Sequence, residues 1–454
     1  MNRFSQKLIS TWASLGPRFL PFADAASAEL PLGRLLRLSL FQVSVGMALV
    51  LLVGTLNRVM IVELKVPASL VSIMVSLPII FAPIRALIGF RSDTHKSALG
   101  WRRVPYIWMG TLLQFGGFAI MPFALLVLGG LGQSSQAPMW VAHIGAGLAF
   151  LLVGAGLHTT QTVGLALATD LAPPEDRPKV VGLMYVMLLI GIIMSSVVFG
   201  YVLENFTPGT LIRTVQGAAV LTLCLNVIAL WKQEGRSRDR KPGVYQEDPD
   251  FMESFLLFCN GEHAKRRLIA IGLGTMAFSM EDILLEPFGG EILGLTVAQT
   301  TYLTAVLAMG GLIGFGWASK ILSRGGDPFK MASLGAMVGI PAFIAVIVSA
   351  PQASSLLFAL GVLFIGFGAG LFGHGTLTAT MNSAPPGQAG LALGAWGAVQ
   401  ASTAGAAMAL GGIIRDLSAQ FTDSATAYSI VYSLEAVLLL MTVIIMNPLV
   451  KTKS

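Results

Sequence analysis

The sequence predicts an all-α integral membrane protein of twelve transmembrane helices in two six-helix halves, and three observations carry that reading. Of 454 residues, 54% are hydrophobic and only 11% charged, whereas a soluble domain carries about a quarter charged residues. The charge is gathered in short islands between apolar runs of about 20 residues or more, the length that crosses a ~30 Å hydrocarbon core as helix. The two parts of the chain also repeat each other's local sequence in the same order.

The runs cover 36–62, 69–90, 104–129, 138–169, 178–203, 208–231, 268–290, 296–320, 330–350, 354–381, 388–414 and 426–447. The 51 glycines suit such spans, because small residues let membrane helices approach closely. The first 33 residues are too polar and proline-broken for a cleavable signal peptide, so the first span is expected to direct insertion. With a cytoplasmic N-terminus, 25 of the 29 basic residues fall on the cytoplasmic side and only Arg58, Lys65, Arg213 and Arg415 on the other. That bias places both termini in the cytoplasm. It also accounts for the net charge of +6, which leaves a nucleic-acid partner without support.

The repeat is read at two places. Ile88-Gly-Phe-Arg-Ser-Asp93 matches Ile313-Gly-Phe-Gly-Trp-Ala318, and Thr169-Asp-Leu-Ala-Pro-Pro174 matches Met381-Asn-Ser-Ala-Pro-Pro386, at offsets of 225 and 212 residues. Two matches in one order indicate parallel halves. The expected organisation is a cytoplasmic tail (1–35), a six-helix half (36–231), a cytoplasmic linker with a short amphipathic helix (232–267), a second half (268–447) and a cytoplasmic tail (448–454). In the linker, Phe251, Phe255 and Phe258 fall at helical spacing, which suits a helix lying at the membrane surface. The segment Phe19 to Phe22 has a similar character.

This architecture resembles the major facilitator superfamily. The loop Gly89-Phe-Arg-Ser-Asp-Thr-His-Lys-Ser-Ala-Leu-Gly-Trp-Arg-Arg103 is similar to that superfamily's signature of a glycine, an aspartate, a second glycine and paired basic residues. Asp93 can hold basic side chains or a helix N-terminus, so Asp93, Arg91, Arg102 and Arg103 are expected to brace the cytoplasmic gate. The junction Asp170-Leu-Ala-Pro-Pro-Glu-Asp-Arg-Pro-Lys179 adds Asp170 and Arg177, either to latch that loop or to dock a partner. Positive-inside bias alone is the plainer account of the same charges.

Three stretches narrow the resemblance: FLPFADAASAELPLGRLLRLSLFQVSVGM, ALATDLAPPEDRPKVVGLMYVMLLIGI and EDILLEPFGGEILGL. Together they resemble the PucC/LhaA family of purple phototrophic bacteria. The resemblance implies an assembly factor for light-harvesting antenna complexes that delivers bacteriochlorophyll to antenna polypeptides. The implied setting is the inner, intracytoplasmic photosynthetic membrane, with bacteriochlorophyll synthase or other assembly proteins and membrane lipids as further partners.

The residues themselves point to span seven, which ends in Glu281-Asp-Ile-Leu-Leu-Glu-Pro-Phe-Gly-Gly-Glu291. Glu281 lies ~20 Å beyond Leu268 at the helical rise, and Glu286 ~27 Å. Asp282 and Glu286 are spaced i, i+4 and share a face. Pro287, Gly289 and Gly290 are expected to end or unwind the helix. Ionisable groups at such depth face a cavity or a partner. Four readings stay open: an intramembrane ion pair between Glu286 and Arg58 from the matching helix, contact with pigment or lipid headgroup, a wet loop, and proton coupling. Glu281 or Glu286 would suit the hard chlorin magnesium. The scarcity of carboxylates in other spans argues against ordinary proton coupling.

Histidine is the other magnesium ligand to weigh. His143 and His158 lie in span four, ~22 Å apart along the axis. His374 lies between Gly373 and Gly375, which would let a flat macrocycle approach. Each is also an ordinary helix–helix hydrogen-bonding residue. Cys224 and Cys259 form no metal or disulfide pattern, and no nucleotide loop or other enzyme motif is found. The reading is therefore a non-enzyme with bacteriochlorophyll as transient cargo and no nucleotide or free metal. A proton-coupled transporter of a small or lipid-like solute and a pigment-free antenna scaffold are its competitors.

Overall fold

A computed structural model describes residues 22, 25–26, 30–78, 88, 91–92, 100–130, 138–173, 176–235, 264–382 and 389–450. Among them every regular element is helical. The elements are α1 (Leu32–Glu63), α2 (Ala68–Ser76), α3 (Val104–Leu128), α4 (Met139–Leu171), α5 (Arg177–Val202), α6 (Pro208–Leu230), α7 (Ala264–Glu291), α8 (Val297–Leu322), α9 (Pro328–Ser349), α10 (Ser355–Asn382), α11 (Ala389–Ser418) and α12 (Ser424–Met446). All but α2 are long and apolar enough, as described, to cross a membrane. The rest of the run expected over 69–90 lies largely outside the described residues. So do Asp93, Cys259 and the linker phenylalanines.

Helix starts follow from local chemistry. Thr207 and Thr296 form reciprocal capping boxes with Thr210 and Gln299, which satisfy otherwise orphaned N–H groups. Asp327 accepts from the amides of Phe329 and Lys330 at 2.8 and 3.1 Å. Asp423, outside the spans, accepts from the Thr426 amide and hydroxyl at 3.0 and 2.7 Å. Those bonds hold its carboxyl below the usual carboxylate range.

The two halves repeat in space as in sequence. α3 packs on α4 and α6 in the first, and α9 packs on α10 and α12 in the second. At the first crossing, a Cβ on Gly156 would lie 2.5 Å from the Gly110 carbonyl. At the second, a Cβ on Gly335 would lie 2.5 Å from the Gly368 carbonyl. These four glycines stand 225 residues apart (Gly110, Gly335) and 212 apart (Gly156, Gly368), the offsets of the two sequence matches. Backbones can approach this closely only where no side chain intervenes.

The halves meet where α2 packs on α11 and α5 on α8. On the face opposite the start of α1 and the end of α12 they are also tied by hydrogen bonds. The Ser69 amide donates to Asp416 Oδ2 at 2.7 Å, and Arg58 Nη2 donates to the Leu295 carbonyl at 3.0 Å.

Candidate functional site

The centre of the molecule is organised by a break in α7. Its first piece ends at Ala277 and its second runs from Glu281 to Glu291. Glu281 and Asp282 therefore occupy the first turn of the second piece, where backbone N–H groups favour negative charge. The expected unwinding at Pro287, Gly289 and Gly290 does not occur, because the helix continues through all three. Pro287 has no N–H to offer the Ile283 carbonyl one turn back. Asn57 of α1 supplies it instead, Nδ2 donating to that carbonyl at 2.7 Å.

Glu281 and Glu286 are 2% and 4% exposed, which excludes the wet-loop reading for both; Asp282 is half-buried and Glu291 exposed. The expected Arg58–Glu286 ion pair is also corrected. Arg58 Nη1 bonds to Glu63, since Val59–Glu63 is a π-helix and its wider turn brings position i+5 onto the arginine's face. Glu286 turns toward α8 and accepts from the Thr304 hydroxyl through Oε1.

Between the halves lies a cavity of about 430 Å³, lined by α1, α5, α7, α8, α10 and α11. Aliphatic and aromatic side chains and glycines make most of its wall. Glu281, Asp282 and Glu286 enter from α7, Thr304 from α8, and Gln400 and Trp396 from α11. The Trp396 indole donates to Thr376 Oγ1 at 3.2 Å. Among the described residues that line it there is no lysine, arginine or histidine. The cavity thus offers oxygen acceptors on an apolar wall, suited to a cargo that is largely apolar and carries a cationic or Lewis-acidic centre.

Glu435 of α12 was missed by sequence reasoning. It is the lone charged residue of the run 426–447 and is 0% exposed. Its carboxyl sits beside the Glu281 carboxyl and the amide that starts the second piece of α7. A lone acid in an apolar span was the signal available. It is a carboxylate outside span seven that the argument from their scarcity left out.

The histidines are not brought together. α4 contributes no residue to the cavity lining, so His143 and His158 stand away from the acids. His374 packs its ring 4.2 Å from that of Phe315, a cavity-lining residue, and 6.2 Å from that of Phe22. Of its flanking glycines, Gly373 lines the cavity, whereas a Cβ on Gly375 would strike the Ala332 amide at 2.7 Å. Gly375 therefore serves helix packing rather than access to a flat ligand.

At the face where α1 begins and α12 ends, Asp170 at the end of α4 takes Arg102 and Arg103, the latter through Nε at 3.0 Å. Arg103 Nη1 also donates to Ser92 Oγ at 2.6 Å. Glu234, beyond α6 and unanticipated from sequence, accepts from the amides of Arg102, Arg103 and Val104 at 2.8 to 3.1 Å and so caps α3 from another part of the chain. Arg91 is exposed on a short helical stretch. Asp93 and the Arg177 side chain lie outside the described residues, and Lys179 pairs locally with Asp176 at 3.4 Å.

Comparison with known proteins adds four findings. A family model described as PUCC protein matches residues 55–454. Protein PucC of Rhodovulum sulfidophilum is 64% identical over 418 residues, covering 92% of each chain. The bacteriochlorophyll synthase 44.5 kDa chain of Rhodobacter capsulatus is 27% identical over 416 residues, covering 89% of this chain and 92% of that one. Among solved structures, a point mutant of the nucleoside transporter NupG superposes with a TM-score of 0.68 at 16% identity, over 92% of this chain and 100% of that one. At that identity the likeness speaks for the fold alone.

Proposed function

The chain belongs to the PUCC protein family, and on that premise we propose that it is an assembly factor for light-harvesting antenna complexes, binding bacteriochlorophyll and delivering it to antenna polypeptides. The observation that carries this reading is the cavity between the halves, apolar in its wall and acidic only along α7. A relative named for bacteriochlorophyll synthase supports the same chemistry. The cargo's magnesium would take an oxygen from Asp282, which is half-buried at the cavity edge, or from Glu286, whose Oε2 has no hydrogen-bond partner. The ring would lie on the leucine and phenylalanine wall.

A macrocycle with its isoprenoid ester is larger than a cavity of about 430 Å³. Delivery therefore requires the halves to part, and it leaves the tail among lipids. The protein acts in this account without catalysis, in the inner photosynthetic membrane. The distribution of basic residues argues for cytoplasmic termini. Antenna polypeptides, bacteriochlorophyll synthase or other assembly proteins, and membrane lipids are its proposed partners.

The test is photo-crosslinking from a cavity position such as Leu303 in a phototrophic host, with pigment quantified in the purified adduct. Antenna polypeptide together with pigment is the expected product. Antenna polypeptide without pigment would favour a scaffold, and neither would favour a transporter of another solute.

A further inference from the structure

The acids of α7 occupy one end of the cavity, and the other end carries a polar group that binding through acids alone leaves unused. Gln400 of α11 lines the cavity. Its level follows from the way α11 runs beside α7. A Cβ on Gly411 would sit 3.1 Å from the Met280 carbonyl, level with the acids. A Cβ on Gly272 would sit 3.3 Å from Thr403 and 3.7 Å from Val399, which places Gln400 beside the first piece of α7. Gln400 stands eleven residues before Gly411 in one unbroken helix, ~16 Å along its axis.

Two other donors of the wall are committed. The Thr304 hydroxyl goes to Glu286, and Trp396, one turn before Gln400, gives its indole N–H to Thr376 Oγ1 at 3.2 Å. The Gln400 side-chain amide makes no hydrogen bond to any described residue. An amide carries two N–H donors and an acceptor, and an apolar wall is costly for them unless an occupant or water pairs them.

A second observation shows room for such a partner at this end. Thr376, which takes the Trp396 indole, donates to the Gly373 carbonyl at 3.1 Å. Gly373 also lines the cavity, and a Cβ added to it would meet nothing within 4 Å. The two ends of the cavity are therefore opposite in chemistry. Carboxylates accept hydrogen bonds and repel a carbonyl oxygen, whereas the Gln400 N–H groups attract one.

Resting on the reading of the cavity as a bacteriochlorophyll site, we propose that Gln400 donates to a carbonyl oxygen on the rim of the macrocycle. It thereby sets which way round the cargo sits, magnesium toward α7 and carbonyl toward α11. The axial spacing is measured between backbones, and the side chains reach in from both ends to meet the ring. The acids alone accept any magnesium macrocycle; the amide selects one whose rim carries a carbonyl. A rim of alkyl groups leaves the amide unpaired, the kind of mismatch that a hydrogen-bonding pocket rejects most strongly.

The test is titration of the full-length protein, expressed in a host that makes no pigment, with bacteriochlorophyll and with magnesium octaethylporphyrin, whose rim carries only ethyl groups. Binding is followed by absorption. Gln400→Met keeps the length of the side chain and removes the amide. It is expected to weaken bacteriochlorophyll about tenfold, the scale of one hydrogen bond, and to leave the porphyrin unchanged. Trp396→Phe, whose lost N–H was committed to Thr376, is expected to change both affinities by the same factor. If the wild type binds bacteriochlorophyll and Gln400→Met changes both ligands alike or neither, the role of Gln400 is overturned and the assignment of the cavity stands. If the wild type binds no bacteriochlorophyll, both are overturned. Should Gln400→Met not fold, the carbonyl stretch of pigment on the wild type decides by resonance Raman. A lowering relative to pigment in an aprotic solvent is expected, and an unshifted band overturns the proposal.

Discussion

The side-chain amide of Asn57 donates to the Ile283 carbonyl at 2.7 Å, making the bond that Pro287 cannot make within its own helix. One residue of the first half thereby completes the helix that carries the acids of the second.

That relationship has a measurable signature. Asn57→Leu leaves the Ile283 carbonyl unpaired in a buried site, at a cost of about 1–3 kcal/mol. Pro287→Ala restores the missing N–H, so the double variant should recover part of that loss. Thermal unfolding in detergent is the measurement, and strictly additive losses would contradict the assignment.

Gly54 brings the backbone of α1 against Glu286. A Cβ there would sit 2.3 Å from Glu286 Oε1. Gly54→Val is expected to lower pigment co-purification by about tenfold, equivalent to ~1.4 kcal/mol, while the protein stays folded. Gly116→Ala, with nothing within 4 Å of its Cβ, is the matched control for helix composition.

At the face where α1 begins and α12 ends, Asp170 holds Arg102 and the buried Arg103. Asp170→Asn is expected to cost about 1.5–3 kcal/mol, the range for a hydrogen bond to a charged group. Glu234→Gln should cost about 0.5–2 kcal/mol through the cap of α3. Unfolding curves of the two single variants and the double test whether the two contacts act separately.

Phe22 has a φ of 62° and sets its ring against Phe315 and His374, beside the cavity wall. In a Phe22→Ala background, a cysteine placed by His374→Cys is expected to react faster with a polar maleimide than with Phe22 present. Equal rates would show that the tail residue does not cover this end.

Much of the fold was legible because spans and halves are written in linear pattern. Run length gives the helices, and the offsets 225 and 212 reappear as the facing glycines Gly110 with Gly156 and Gly335 with Gly368. The acids of α7 were legible for the same reason, as charge where none is affordable. What failed depended on helix geometry and tertiary contact. The π-turn of α1 sent Arg58 to Glu63 instead of Glu286, and Asn57 kept the helix whole past Pro287. Glu435 was visible as a lone acid, but only the packing of α12 on α7 joins it to Glu281. Glu234 stands in a polar segment whose sequence gives no hint that it caps α3.

The most direct measurement is the near-infrared absorption of the protein purified gently from a phototrophic host, beside an Asp282→Asn/Glu286→Gln variant that matches it in yield and helix content. Bound bacteriochlorophyll in the wild type, lost or spectrally shifted in the variant, is the result expected if the acids of α7 hold the cargo. Identical pigment spectra from the two proteins, or no pigment in either, would contradict it.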